Sequence, residues 1–158
     1  MLFEKAIVKV LRSLSFLCFA VMIVVVFAQV ILRYFFGAPL AWSDELARLL
    51  LVWVSFMGVT LVHYSDAGHP AVTFIIEKFP EAAQEIVGCV LNIAMAAGFL
   101  VIFKASLDYT LANQKFVSAV LHYPNAIKYA VVPICMLLMA AKSLIRSYED
   151  VQKLRKKA

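Results

Sequence analysis

Four stretches of this chain, at about residues 14–34, 46–64, 86–105 and 126–145, each hold close to twenty mostly apolar side chains. A helix needs about 20 such residues to cross the roughly 30 Å hydrocarbon layer of a bilayer. No water is available there to bond the backbone, so such stretches take the helical form, which satisfies its N–H and C=O groups internally. Charges fall only near the span ends: Arg33, Arg48, Lys104, Lys128 and Lys142. Long basic stems can carry their head groups from such positions to the interface. The expected fold is therefore an all-α integral membrane protein with four transmembrane helices, a single membrane domain over residues 1–158. Composition points the same way. The 158 residues are 64% hydrophobic and 16% charged, whereas soluble domains carry about 45–50% apolar and about 25% charged residues. A water-soluble globule and a disordered chain are both excluded.

Orientation is read from the basic residues. With both termini inside, ten Lys/Arg fall on the cytoplasmic side and five on the other. The positive-inside rule then predicts an N-in, C-in arrangement. Lys5, Lys9 and Arg12 precede the first apolar run as they would in a signal peptide, and Val26-Phe27-Ala28 resembles a weak cleavage site. The run continues past it to Leu32, which reads as a retained helix. Two shorter segments, about 1–12 and 70–80, are amphipathic or apolar but too short to cross, and are expected to lie in the interface. The net charge of +5 clusters at the termini rather than along one continuous face, which argues against a nucleic-acid partner.

Little in the chain can carry reaction chemistry. Cys18, Cys89 and Cys135 are an odd number, each in an apolar run and without a CxxC pair, so they read as small hydrophobes. No nucleophile–base pair, paired carboxylates or phosphate-binding Gly-rich loop is present, and no enzyme, cofactor or metal is expected. His63 and His122 end up near opposite faces of the membrane, whereas intramembrane haem needs facing His pairs at one depth. A haem-ligating membrane anchor of a redox enzyme is still the runner-up reading, which a Soret band would favour. A free-standing small channel would have to transport alone. The polar residues at depth, Gln29, Ser55, Thr60 and Asn92, are not ionisable, so this chain by itself makes a poor ion path. Gln29 and Asn92 suit helix bridging, while Gly58, Ala94 and Gly98 permit close helix approach. These five are the candidate subunit-packing residues. Pro133 should disturb the fourth helix.

The densest polar cluster joins the first two spans: Arg33, Tyr34, Pro39, Trp42, Asp44, Glu45 and Arg48. Ser43 reads as an N-cap, with Asp44 and Glu45 in the favourable first turn. Arg48 follows them by four and three residues, a spacing that allows pairing with either. Tyr34 and Trp42 suit an interfacial belt.

The stretch from Gln29 to Arg48, QVILRYFFGAPLAWSDELAR, resembles the signature of the small (Q, DctQ-type) membrane subunit of tripartite ATP-independent periplasmic (TRAP) transporters. Gly58 and the cytoplasmic-loop His69 sit where that family tends to carry a Gly and a His, whereas Thr73 stands where relatives often have Asp. The resemblance implies a multi-pass protein of the bacterial inner membrane and two partners. One is a large multi-span M subunit holding the substrate and sodium sites; the other is a periplasmic substrate-binding protein. This chain would brace the M subunit during sodium-driven uptake of an organic acid, of the dicarboxylate or sialic acid class. The outer loop cluster would contribute to the surface on which the binding protein docks.

Overall fold

The computed structural model describes residues 2–38, 40–65 and 81–157. Its long helices are α1 (Leu2–Phe35), α2 (Ser43–Tyr64), α3 (Glu81–Ala112) and α5 (Val131–Lys157), with a short α4 (Asn125–Tyr129) before the last. Among the described residues, four helical stretches are long and apolar enough to cross a membrane. No strand occurs among the described residues; an isolated antiparallel bridge joins Val117 and Pro124. The segment expected in the interface at 70–80, His69 and Pro39 lie outside the described residues.

α1 holds 34 residues without a break, about 51 Å at 1.5 Å per residue. That exceeds the hydrocarbon thickness by roughly 20 Å. Residues 2–12 thus belong to the same unbroken helix as the first span. The fourth apolar stretch is divided. Helix α4 ends at Tyr129 and α5 begins at Val131, with Ala130 in a turn. Pro133 sits in the first turn of α5 and cannot donate to the Tyr129 carbonyl, so one uninterrupted helix is not available there.

The helices do not close into a four-cornered bundle. Among the described residues α1 packs on α2, α2 on α5, and α5 along most of α3, whereas α1 packs on neither α3 nor α5. The order across the layer is α1–α2–α5–α3, an open row with two broad faces. Burial follows this order. In the apolar part of α1 only 6% of residues are buried by the rest of the chain, against 39% in the last span. One core cluster runs from the α1–α2 contact through to the α2–α5 contact, with Leu11, Cys18, Leu50, Met57, Val131 and Cys135. None of the three cysteines is in a disulfide.

A polar seam runs along the α5 contacts. His63 Nε2 and Ser143 Oγ are hydrogen-bonded at 3.0 Å, and the His63 ring meets Phe99 edge-on. Ser147 Oγ and Cys89 Sγ lie 3.3 Å apart, and Asn92 Nδ2 donates to Asp150 Oδ2 at 3.1 Å. Ser143, Ser147 and Asp150 follow at intervals of four and three, one face of a helix. Each of these side chains thereby makes a polar contact across the α5 interfaces, where water is scarce.

Candidate functional site

The site is built at the loop end of the row, where the α1–α2 and α3–α4 connections meet. α1 closes on Gly37. Its φ of +63° is costly for a residue with a Cβ and free for glycine. The Leu32 carbonyl accepts from the N–H groups of both Phe36 and Ala38, at 3.2 and 3.1 Å. Ahead of this turn Tyr34, Phe35 and Phe36 are all exposed, and the Arg33 guanidinium stands 5.9 Å from the Tyr34 ring centre, within cation–π range.

α2 starts differently from the spacing argument. The N-cap position belongs to Trp42, with no side-chain capping bond. Ser43, fully buried, instead donates its hydroxyl to the Leu40 carbonyl at 2.6 Å. Ser43 is the first residue inside the helix rather than its cap, and its hydroxyl tightens the turn before it. Gln29 of α1 donates to Asp44 Oδ1 at 3.1 Å, which pins the end of α1 to the start of α2.

Glu45 occupies the centre of the site. Its Oε1 accepts from the backbone N–H groups of Ala119 and Val120, at 3.0 and 3.1 Å. Its Oε2 accepts from the N–H of Leu121 at 3.0 Å and the Ser118 hydroxyl at 2.8 Å. Three consecutive N–H groups turned to one point form a nest for an anion, here filled by the chain's own carboxylate. The loop is shaped to present them. The Ser118 N–H donates to the Tyr123 carbonyl and the Asn125 N–H to the Phe116 carbonyl, at 2.9 and 2.8 Å. His122, at φ 55°, turns the chain back, its Nδ1 2.8 Å from the Val120 carbonyl. Burial, and then the charge of Glu45, push the Tyr123 hydroxyl above its ordinary pKa. Nearby, Trp53 of α2 donates its indole N–H to the Ile127 carbonyl at 3.1 Å, a second tie from α2 to the α3–α5 half.

The expected pairing of Arg48 with Asp44 or Glu45 does not form: Asp44 takes the Gln29 amide and Glu45 the loop nest. Arg48 is left on the exposed surface with Arg33, Tyr34 and Trp42. The structure brings together Gln29 with Asp44, and Glu45 with a loop 73 to 76 residues away. The other candidates lie elsewhere. Asn92 is buried and directed to Asp150 within the chain. Ala94 and Gly98 face outward from α3, and a Cβ built at Gly58 or Gly98 would meet no atom within 4 Å. His63 sits in the α5 seam and His122 at the loop end, far apart along the helix axes. Ser118 is a site residue that its local sequence does not mark, because its partner is distant in the chain.

Comparison with known proteins adds a family to this geometry. Residues 22–153 match the family model described as tripartite ATP-independent periplasmic transporters, DctQ component. Two Haemophilus influenzae proteins named as TRAP transporter small permease proteins are similar. One is 26% identical over 138 residues, 85% of each chain; the other is 36% identical over 100 residues, 63% of this chain and 60% of that one. The sialic acid TRAP transporter permease protein SiaT of the same species is 34% identical over 61 residues, 39% of this chain but 10% of that far longer one.

Proposed function

Since the chain belongs to the DctQ component family of the tripartite ATP-independent periplasmic transporters, a multi-pass membrane family, we propose that it works as the scaffold subunit of such a transporter. In this reading it braces a large M subunit in the bacterial inner membrane, with both termini cytoplasmic. The M subunit holds the substrate and sodium sites, and a periplasmic binding protein delivers an organic acid. The likeness of part of this chain to a tenth of SiaT supports a large permease as the partner and sialic acids as one substrate class.

The observation that carries the scaffold role is the open row α1–α2–α5–α3. Among the described residues the row encloses no lumen between its helices, and its seam is built from hydrogen bonds already made within the chain. What it offers instead is two wide apolar faces and an edge helix, α1, that the rest of the chain barely covers. Such surfaces suit packing against another membrane subunit by close van der Waals contact. The outward Ala94 and Gly98 are the residues assigned to that contact on α3.

The loop end is the assigned docking surface for the binding protein. Arg33, Tyr34, Trp42 and Arg48 supply exposed aromatic and basic contacts there. Glu45 acts indirectly, as a positioning residue, because its carboxylate is occupied by the 118–121 loop. The test is uptake into proteoliposomes under a sodium gradient, with binding protein titrated outside. Vesicles holding this chain and the M subunit should accumulate substrate; vesicles with either alone should not. Uptake by the M subunit alone at the full rate would end the scaffold reading.

A further inference from the structure

At the opposite end of the row, where the chain termini lie, a cavity of about 760 Å³ opens between the first turns of α1 and the α5 segment that carries Lys142 and Glu149. It exists because α1 does not pack on α5. The Glu4–Lys142 ion pair spans the gap. Tyr64 closes the cavity on the α2 side, its hydroxyl committed to the Leu138 carbonyl at 3.0 Å. Lys5, Lys9 and Arg12 line the remaining wall and are exposed. Four basic side chains thus face two carboxylates, one of which, Glu4, already has its cation.

Lys5, Lys9 and Arg12 are spaced by four and three residues, which puts them on one face of α1. The same spacing continues through Phe16, Phe19, Ile23, Phe27 and Val30, all exposed. Ile23, Phe27 and Val30, with Met22 and Val26, line a second, apolar groove of about 340 Å³ further along the helix. One helix face therefore carries cations at the membrane surface and an unbroken apolar track running inward. A soluble phosphate would use only the first part, and an uncharged acyl chain only the second.

We infer that this face of α1, with its cavity against α5, is a binding site for an anionic phospholipid. The phosphate sits among Lys5, Lys9 and Arg12, and an acyl chain lies along Phe16 to Val30. Basic pockets at the ends of membrane helices bind anionic headgroups through such contacts, and the chain adds contact area that a headgroup lacks. The inference needs only that the protein is membrane-embedded and does not rest on its place in a transporter.

The test begins with the unaltered full chain in detergent micelles, followed by native mass spectrometry as lipid is added. Phosphatidylglycerol should be retained roughly tenfold better than phosphatidylethanolamine, the scale of one or two additional charge contacts. Long-chain phosphatidylglycerol should outlast its short-chain analogue, and glycerol phosphate should not displace it. The triple variant Lys5→Gln/Lys9→Gln/Arg12→Gln should bring phosphatidylglycerol down to the level of phosphatidylethanolamine. Equal retention of the two headgroups, or displacement by glycerol phosphate, would overturn the site, as would unchanged retention in a folded triple variant. Should that variant fail to fold, the headgroup and chain-length comparisons on the native chain still decide. In the complex with the M subunit, a photo-reactive residue placed at position 16 should capture lipid; capture of the M subunit instead would reassign this face to protein packing.

Discussion

The two ends of the helix row are closed by different kinds of contact. At the loop end one carboxylate, Glu45, gathers three backbone N–H groups and a hydroxyl from a single turn. At the terminal end Lys142 reaches Glu4 and Arg146 reaches the Ser65 carbonyl, each through a long, rotatable side chain. Backbone donors are positioned by the turn itself, so little freedom is lost when the carboxylate arrives. Lys and Arg stems lose up to about 2 kcal/mol of rotamer freedom to be held, and the Glu4–Lys142 pair, half-buried, is still open to some screening by salt. On these grounds the loop end is the more firmly determined of the two, and the terminal end the one whose contacts cost more to hold. A firmly determined surface suits docking; the other end suits a lipid or a neighbouring subunit.

The strongest way to break this contrast is Glu45→Ala, which leaves the loop donors without their acceptor. It should lower the melting temperature more than any single substitution in the α3–α5 seam or at the terminal end, and hydrogen exchange should show Ala119, Val120 and Leu121 losing protection. Retained protection would mean the turn holds its own shape and Glu45 merely rests on it. Asn92→Ala comes next. It removes a part-buried hydrogen bond to the Asp150 carboxylate in the α3–α5 seam, at a cost of about 1.5–3 kcal/mol, the range for hydrogen bonds to charged groups, read by denaturant titration of the purified chain. If the terminal end is held by this seam rather than by its charges, Lys142→Met should matter less.

For Lys142→Met the expected loss is about 1 kcal/mol, the upper end of the range for pairs that solvent reaches, because the Lys142 and Glu4 side chains are only 12% and 28% exposed. What is lost is the ion pair with Glu4, so raising the salt concentration should shrink the difference between variant and native chain. A loss that is large and indifferent to salt would place the terminal end on the same footing as the loop end. The smallest stability effect belongs to Arg48→Ala, within about ±0.5 kcal/mol for an exposed surface residue. Its consequence should show instead as a higher half-saturating concentration of binding protein in proteoliposome uptake, with the plateau unchanged. A lowered plateau would assign Arg48 to assembly.

Much of the fold is legible in the sequence, because crossing a bilayer imposes a length and a composition that few other roles demand. The disturbance at Pro133 is legible too, since a missing N–H acts on its own helix. Contacts between segments are less so. The Ser43 cap and the Arg48 pairing follow from spacing within one helix turn. Both give way to partners that spacing does not reveal: the Leu40 carbonyl for Ser43, and a loop more than seventy residues away for Glu45.

By itself the sequence determined that this is a four-helix membrane chain with polar residues gathered between the first two spans, and the motif from Gln29 to Arg48 pointed to its family. Those properties depend on the solvent each residue prefers and on short motifs, both written locally in the chain. Only the tertiary structure decided that the helices form a row in the order α1–α2–α5–α3, that Glu45 clasps the α3–α4 loop, and that α1 and α5 stand apart around a basic cavity. In a bilayer, lipid tails cover an apolar helix face about as well as another helix does. Hydropathy is therefore silent on which faces meet, and close packing and the pairing of scarce polar groups choose the neighbours.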